Sequence, residues 1–264
     1  MGDTITVLAL QLKTEADPAR NMAAVTRMLA DTRPQSADFI VLPEIFICPY
    51  EHEMFPLYAQ SEGGEVYRFL QALAAEKKAC VIGGSVPERD GDKLYNTSWI
   101  FSAKGELIGR HRKAHLFDVD IKGGQYFKES DTFAPGEGIT VFDTPCGKMG
   151  VCICFDIRFP EMLSQMRQEG IVMAFAPADF NMTTGPAHWE TLFKSRALDN
   201  QIFMLGCAPA RNENASYIAY GHTILTDPWG RIVRQLDEKE GILEEKIDLS
   251  LVEEVRAQIP LRRS

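Results

Sequence analysis

Three side chains of this sequence form a chemically complementary set: the carboxylate of Glu44, the ammonium of Lys113 and the thiol of Cys154. Each follows a run that reads as a buried strand: Phe39-Ile40-Val41-Leu42 before Pro43-Glu44, Leu107–Arg112 before Lys113, and residues 148–153 before Cys154. Strand exits are where α/β proteins gather site residues from distant parts of a chain. Taken singly, each has a plain structural explanation. A Glu after a strand is commonly a surface or capping carboxylate, a lone Lys is commonly solvated, and a Cys in an apolar run is commonly inert core. Together they can divide one reaction among them: the thiol attacks, the carboxylate takes its proton, and the ammonium stabilises an oxyanion. A free thiol titrates near about 8.5, so a base and nearby positive charge are expected to raise its thiolate share at neutral pH. Cys152 shares the face of Cys154 at period two and is expected one pleat deeper, as core.

The elements that must position these residues are legible along most of the chain. Residues 4–12 read as a strand, and Asp17-Pro18 then supplies an N-cap and a first-turn Pro for a helix carrying Met22, Val25, Met28 and Leu29. Val66, Phe69, Leu70 and Leu73 mark a second amphipathic helix. Further strands are expected at 80–85, 96–101, 107–111, 139–143, 149–154, 172–177, 203–208, 223–226, 232–236 and 242–247. Helices are expected at 160–169, along Trp189, Leu192, Phe193 and Leu198, and from Ser250. Residues 113–138 show little periodicity, and a loop that long inside a compact domain is usually functional or disordered. Many strands are apolar throughout, as strands covered on both faces are. That points to a single α/β domain over residues 1–264, two packed sheets with helices outside.

Composition narrows the function. The 264 residues are 45% hydrophobic and 25% charged, an ordinary globular balance. The net charge of −9, without clustered Lys and Arg, argues against nucleic acid as a partner. No apolar stretch approaches the roughly 20 residues that span a bilayer, and Met1-Gly2-Asp3-Thr4 does not begin a secretory signal. A cytoplasmic protein with six reduced thiols is the expectation. Cys152-x-Cys154 lacks further ligands at zinc spacing, so neither metal nor other cofactor is expected. A Cys–His catalytic pair would draw on His115 or His222, whose surroundings read better as a loop and a strand start. His115 and His188 read as hydrogen-bonded structural residues, and Arg262-Arg263 as a solvated tail.

Leu42-Pro43-Glu44, Arg112-Lys113-Ala114-His115-Leu116-Phe117 and the run from Cys154-Phe155-Asp156 to Phe159-Pro160-Glu161 resemble the three catalytic blocks of the nitrilase superfamily of carbon–nitrogen hydrolases. All three occur in the superfamily's order, and the resemblance extends from Ile5 to Ile259-Pro260. It implies a four-layer α-β-β-α sandwich that pairs through its outer helices into a homodimer, with a Glu44-Lys113-Cys154 triad and no metal. Within the superfamily the likeness is to the omega-amidases. It is carried by Phe180–Glu190, written Phe180-Asn181-Met182-Thr183-Thr184-Gly185-Pro186-Ala187-His188-Trp189-Glu190, with Arg196-Ala197-Leu198-Asp199-Asn200-Gln201, Pro209-Ala210-Arg211-Asn212, Ala215-Ser216-Tyr217 and Gly221-His222. The superfamily places a second carboxylate in the long loop, which Glu129 matches. There are two departures. Phe155 replaces a Tyr, which leaves the backbone N–H of residue 155 available to an oxyanion. Asp179 stands where a small residue is expected, next to the substrate pocket.

The resemblance implies hydrolysis of a primary amide to acid and ammonia through a Cys154 thioester, with short acids bearing a terminal amide, such as 2-oxoglutaramate and succinamate, as substrates. Deaminated glutathione or a carbamoyl amide is the alternative, and an idle binding scaffold a third. An anionic substrate needs local positive charge, which Arg158 can supply unless it is bound in an ion pair with Glu161 or Asp156. Thr183 and Tyr50 can add hydroxyl donors, and Phe180 an apolar wall.

Overall fold

The apolar N-terminal run is a strand, β1 (Thr4–Gln11), and the Asp17-Pro18 signal starts helix α1 (Pro18–Ala30), with Asp17 Oδ1 accepting the Ala19 N–H at 2.9 Å. The computed structural model describes residues 4–30, 37–122 and 125–261; the Met1-Gly2-Asp3 start and the Arg262-Arg263 tail lie outside them. After α1 come β2 (Phe39–Val41), α2 (Met54–Leu57), α3 (Glu65–Lys77), β3 (Cys80–Ile82), β4 (Val86–Asp90), β5 (Lys93–Phe101) and β6 (Leu107–Arg112). The middle of the chain holds β7 (Asp118–Asp120), β8 (Tyr126–Lys128), β9 (Thr140–Thr144), β10 (Gly147–Val151), α4 (Pro160–Gln168) and β11 (Met173–Pro177). The last part holds α5 (Gly185–Asn200), β12 (Phe203–Cys207), β13 (Ile224–Thr226), β14 (Ile232–Gln235), β15 (Gly241–Asp248) and α6 (Ser250–Gln258).

Two sheets result. The first runs β15-β1-β2-β3-β5-β4, with β6 also paired to β5, and the second runs β14-β13-β12-β11-β10-β9. Between them Val7, Val41 and Ile82 share one buried cluster with Val151, Phe175 and Leu205, and the Phe39 and Phe175 rings lie 5.1 Å apart. Val25, Met28, Val66 and Leu70 of α1 and α3 cover the outer face of the first sheet at Leu8, Leu10, Ile40 and Val81. Leu163, Met166, Trp189 and Phe193 of α4 and α5 cover the second at Ala174, Ala176, Met204 and Ile224. The alternation of each strand's side chains between two apolar layers is why so many strands read as continuously apolar. The order of layers is helix, sheet, sheet, helix, in one mixed α/β domain.

Parallel pairs β1-β2-β3 and β10-β11-β12 form the centre of each sheet. The exits of β2, β10 and β11 lead to Glu44, Cys154 and Asp179, the carboxyl-end position at which α/β sheets commonly bind ligands. Three expectations are corrected. The strand expected over 149–154 stops at Val151, so Cys154 is not one pleat above Cys152; it starts a separate 3₁₀ turn, Cys154–Arg158. The unpatterned stretch 113–138 contains the β7-β8 hairpin and a 3₁₀ turn at Glu129–Asp131. Leu198 is 47% exposed on α5, so it does not continue the stripe of Trp189 and Phe193.

Candidate active site

Glu44 sits in a turn that the chain bends sharply to make. Ile45 has φ +47°, a left-handed conformation that a β-branched residue adopts only under strain. Ser85, from the exit of β3, clamps this turn: its Oγ accepts the Ile45 N–H at 3.0 Å and its N–H donates to Pro43 O at 3.2 Å. Gly84 permits the approach, since a Cβ there would lie 2.1 Å from Pro43 O, and its own φ is +58°. The strain is held by neighbours on both sides, as is typical of functional loops.

Lys113 leaves β6 with its N–H donated to Asn96 O and its carbonyl accepting from Gly136, both at 2.8 Å. Its Nζ lies 2.9 Å from Glu44 Oε1 and 2.8 Å from Glu129 Oε2. All three side chains are buried. The two carboxylates also share donors. Asn96 Nδ2 reaches Glu44 Oε1 at 2.9 Å and Glu129 Oε1 at 3.0 Å, and the Tyr50 hydroxyl donates to Glu129 Oε1 at 3.1 Å. The Phe117 N–H donates to Glu129 Oε2 at 2.6 Å, fixing the loop carboxylate from behind. Burial would lower the Lys113 ammonium, but Glu129 and Glu44 outweigh it and hold the charge well above the ordinary lysine range. Burial pushes Glu44 up, opposed by Lys113 and assisted by Glu129. One ammonium between two carboxylates leaves Glu44 able to take a proton and give it back.

Cys154 opens its turn at φ +46°, and its thiol lies 3.9 Å from Asp179 O, within the field of the Glu44 carboxylate. Contrary to the expectation of a depressed thiol, burial and then Glu44 push it well above its usual value, with Lys113 pulling the other way. The thiol therefore rests protonated, beside the Glu44 carboxylate. The N–H of Phe155, the second residue of the turn, is among those a helical turn leaves without an internal acceptor.

Asp156 ties this turn to the Lys113 segment. Its Oδ1 accepts the His115 N–H and lies 2.9 Å from His115 Nδ1, while Oδ2 lies 2.9 Å from His111 Nε2 and accepts the Ile153 N–H at 3.0 Å. The two His, four apart and flanking Lys113, thus converge on one carboxylate. Among the described residues no group of three or more His, Cys, Asp and Glu could hold a metal ion. Burial would raise the Asp156 carboxyl, but the bonds from His111 and His115 win and hold it well below the carboxylate range. A lowered carboxylate adds stability above its unfolded value near about 3.9, and that stability is lost as pH falls below it. Asp156→Asn is therefore expected to cost about 3 kcal/mol at pH 7, with the gap to the parent narrowing below roughly pH 4. Denaturant unfolding of both proteins from pH 7 to 3 checks this; a gap constant with pH would mean that the carboxylate charge is not what braces the turn.

A small cavity of about 10 Å³ lies over Cys154, lined by Phe117, Phe155, Arg158, Asp179, Phe180, Thr184 and Tyr217. It adjoins a cavity of about 410 Å³, which Asp179 and Tyr217 also border. The inner space holds about one water molecule, so an amide reaching the thiol must displace side chains at this boundary. Arg158 is not in an ion pair with Glu161 or Asp156. Its Nη1 donates to His188 Nδ1 at 3.2 Å, its guanidinium lies 5.4 and 5.0 Å from the Phe155 and Phe180 ring centres, and its Nε is buried without a partner.

Of the other expected substrate contacts, Phe180 lines the inner cavity, and Tyr50 belongs to the charge cluster behind it. Thr183 does not reach the cavity. Asn181 Oδ1 accepts the N–H groups of both Thr183 and Thr184, and this local turn leaves Thr183 exposed and directs Thr184 inward. Asn96, Asp156 and Thr184 are site residues that sequence reasoning passed over. A signal existed for Asn96: Asn is depleted in strand interiors, and one placed there is unfavourable unless its amide is used.

The sequence profile of the Carbon-nitrogen hydrolase family matches residues 6–257. The chain is 44% identical to the omega-amidase NIT2-A of Xenopus laevis over 92% of this chain and 88% of that one. It is 41% identical to the omega-amidase NIT2 of Homo sapiens over 96% and 92%. Among solved structures, Saccharomyces cerevisiae Nit3, a member of branch 10 of the nitrilase superfamily, superposes with TM-score 0.90 at 39% identity, covering 99% of this chain and 96% of its own. The NitFhit protein of C. elegans superposes with TM-score 0.89 at 28% identity, covering 100% and 66%. With a family match across nearly its whole length and this sandwich beneath it, the chain belongs to the carbon–nitrogen hydrolase family and is an enzyme that acts on amides.

Proposed function

We propose that the chain hydrolyses the terminal amide of a short dicarboxylic acid monoamide, such as succinamate or 2-oxoglutaramate, with Cys154 as nucleophile. The observation that carries this substrate class is Arg158: a guanidinium beside the thiol, with a buried N–H that no protein group accepts. Relatives named omega-amidases support the same reading. In the reaction, Glu44 takes the Cys154 proton as sulfur attacks the amide carbon. The oxyanion forms between Lys113 and the Phe155 N–H, each such donor contributing roughly 3 kcal/mol. The C–N bond then breaks, Glu44 passes its proton to the departing nitrogen, and ammonia leaves a thioester. Water, deprotonated by Glu44, attacks the thioester; the C–S bond breaks and the thiol recovers the proton. Glu129 orients Lys113 and accepts from the substrate NH₂, and Tyr50 positions both carboxylates. Because the resting thiol is protonated, proton transfer accompanies attack and no standing thiolate is required.

The reading also makes the enzyme a cytoplasmic homodimer. Support comes from exposed Leu198 on the outer helix α5 and exposed Ile259, whose carbonyl accepts from Gln201 Nε2 at 2.6 Å. All six cysteines are free, as in a reducing compartment.

The substrate assignment is tested with Arg158→Lys. The exchange keeps the charge and loses the planar fork, so kcat/KM for succinamate is expected to fall at least about tenfold relative to that for neutral butyramide. With no ion pair to break, the melting temperature should hold. Equal losses on both amides would remove the carboxylate role from Arg158.

A further inference from the structure

The cavity over Cys154 is lined by a second residue with an orphaned buried atom, Asp179, whose Oδ1 has no hydrogen-bond partner. Native proteins rarely leave such groups unpaired, and those in a site call for a cause. The backbone of Asp179 is fully engaged: its N–H donates to Glu44 Oε2 at 2.8 Å, and its carbonyl accepts from the Tyr217 hydroxyl at 2.7 Å. Its side chain is not. Lys113 is committed to Glu44 and Glu129, and Arg158 forms no ion pair, so no cation neutralises the Asp179 carboxyl. Burial and then the Glu44 charge push the group well above the carboxylate range, with only Lys113 opposing. A carboxylate buried here with no cation and no donor on Oδ1 would be uncompensated, so the surroundings favour the protonated acid, and a carboxylic acid donates. Asp179 O–H and Arg158 N–H are thus two unused donors around one small cavity, an arrangement suited to oxygen acceptors and offering no counter-charge to an ammonium.

We propose that Asp179 is a specificity-determining residue that donates a hydrogen bond to an oxygen on the acid end of the substrate, the end that Arg158 also binds. This rests on the reading of Arg158 as the partner of the substrate carboxylate. It gives a role to the position where a small residue was expected, and it narrows the substrate class. Monoamides whose acid end is rich in acceptor oxygens are favoured over alkyl amides of similar length and over those bearing an α-ammonium.

The experiment compares the parent enzyme, Asp179→Asn and Asp179→Ala on succinamate and butyramide, with melting temperatures alongside. Asn keeps an N–H donor at the position and Ala removes it. Asp179→Ala is expected to lower the succinamate-to-butyramide ratio of kcat/KM roughly 10-fold, chiefly through KM for succinamate, while Asp179→Asn stays within about threefold of the parent ratio. Both variants should melt no lower than the parent, since the orphaned acid is removed and the backbone contacts remain. The proposal is overturned if Asn fails as Ala does, if the ratio rises in Asp179→Ala because an ionised carboxylate had been repelling the anion, or if both variants melt lower with the ratio unmoved. A parent enzyme without preference for succinamate over butyramide refutes the Arg158 reading itself, and does so before any variant is compared.

Discussion

Cys154→Ala is expected to release no measurable ammonia from succinamate, while Cys152→Ala keeps most of the parent rate. Only Cys154 combines a thiol under the influence of the Glu44 carboxylate with an opening to the cavity at Arg158 and Asp179; Cys152, two residues earlier, is fully buried beside α4 and α5. The left-handed backbone at Cys154 turns its side chain out of the apolar run that precedes it. Both thiols are pushed up by burial, so thiolate content does not separate them; the adjacent base does. Steady-state ammonia release from the two purified variants, with melting curves to show that each is folded, checks the assignment. Residual turnover in Cys154→Ala above about one part in a thousand would mean that another group attacks.

Lys113→Met is expected to lower kcat by more than about 10²-fold, the usual cost of losing an oxyanion donor, and to destabilise the fold as well. The second effect follows from the charges. Without the ammonium, Glu44 and Glu129 remain buried on the same Asn96 and Tyr50 donors with no cation between them. Two such carboxylates cannot both stay ionised, and removing one partner from a buried ion cluster costs roughly 3–5 kcal/mol. The protein should take up a proton at this pair, and its melting temperature should recover in part as pH falls toward the carboxylate range. Activity should not recover with it, because the oxyanion donor is still missing. Near-normal kcat in Lys113→Met, measured at saturating succinamate, would assign the oxyanion to other groups.

The sandwich was legible because period-two and helical spacing are imposed by burial, and burial dominates strands such as Phe39–Val41 and helices such as Pro18–Ala30. Strand β4 was not seen, since its second half, Glu88-Arg89-Asp90, is charged. The structure buries Glu88 there by pairing it with Arg112 Nε at 2.7 Å and with the Thr97 hydroxyl. That Glu44, Lys113 and Cys154 lie at strand exits was readable, and the structure brings them to one place, but their electrostatic state was not readable. The protonated thiol depends on Glu44 arriving from the other sheet, and no spacing along the chain encodes that approach. Thr183 and Thr184 show the same limit at short range. Which of two adjacent hydroxyls faces the cavity is decided by where the Asn181 side chain accepts its bonds. Arg158 was open between structure and recognition in the sequence, because a carboxylate three residues away at Glu161 made an ion pair as plausible as a ligand contact. In the folded chain Asp156 is already occupied by two His, and Arg158 is left turned against Phe155 and Phe180.

The central claim is that the reaction passes through a thioester on Cys154, and acid-quenched mass spectrometry during turnover addresses it directly. Enzyme mixed with saturating succinamate, stopped in acid and digested should yield the Cys154 peptide heavier by one succinyl group, an adduct that disappears on treatment with hydroxylamine. The adduct should be absent from Cys154→Ala. An acyl group found instead on the Cys48, Cys152 or Cys207 peptide, or turnover with no acylated peptide under conditions where the deacylation step is slowed, would contradict the account.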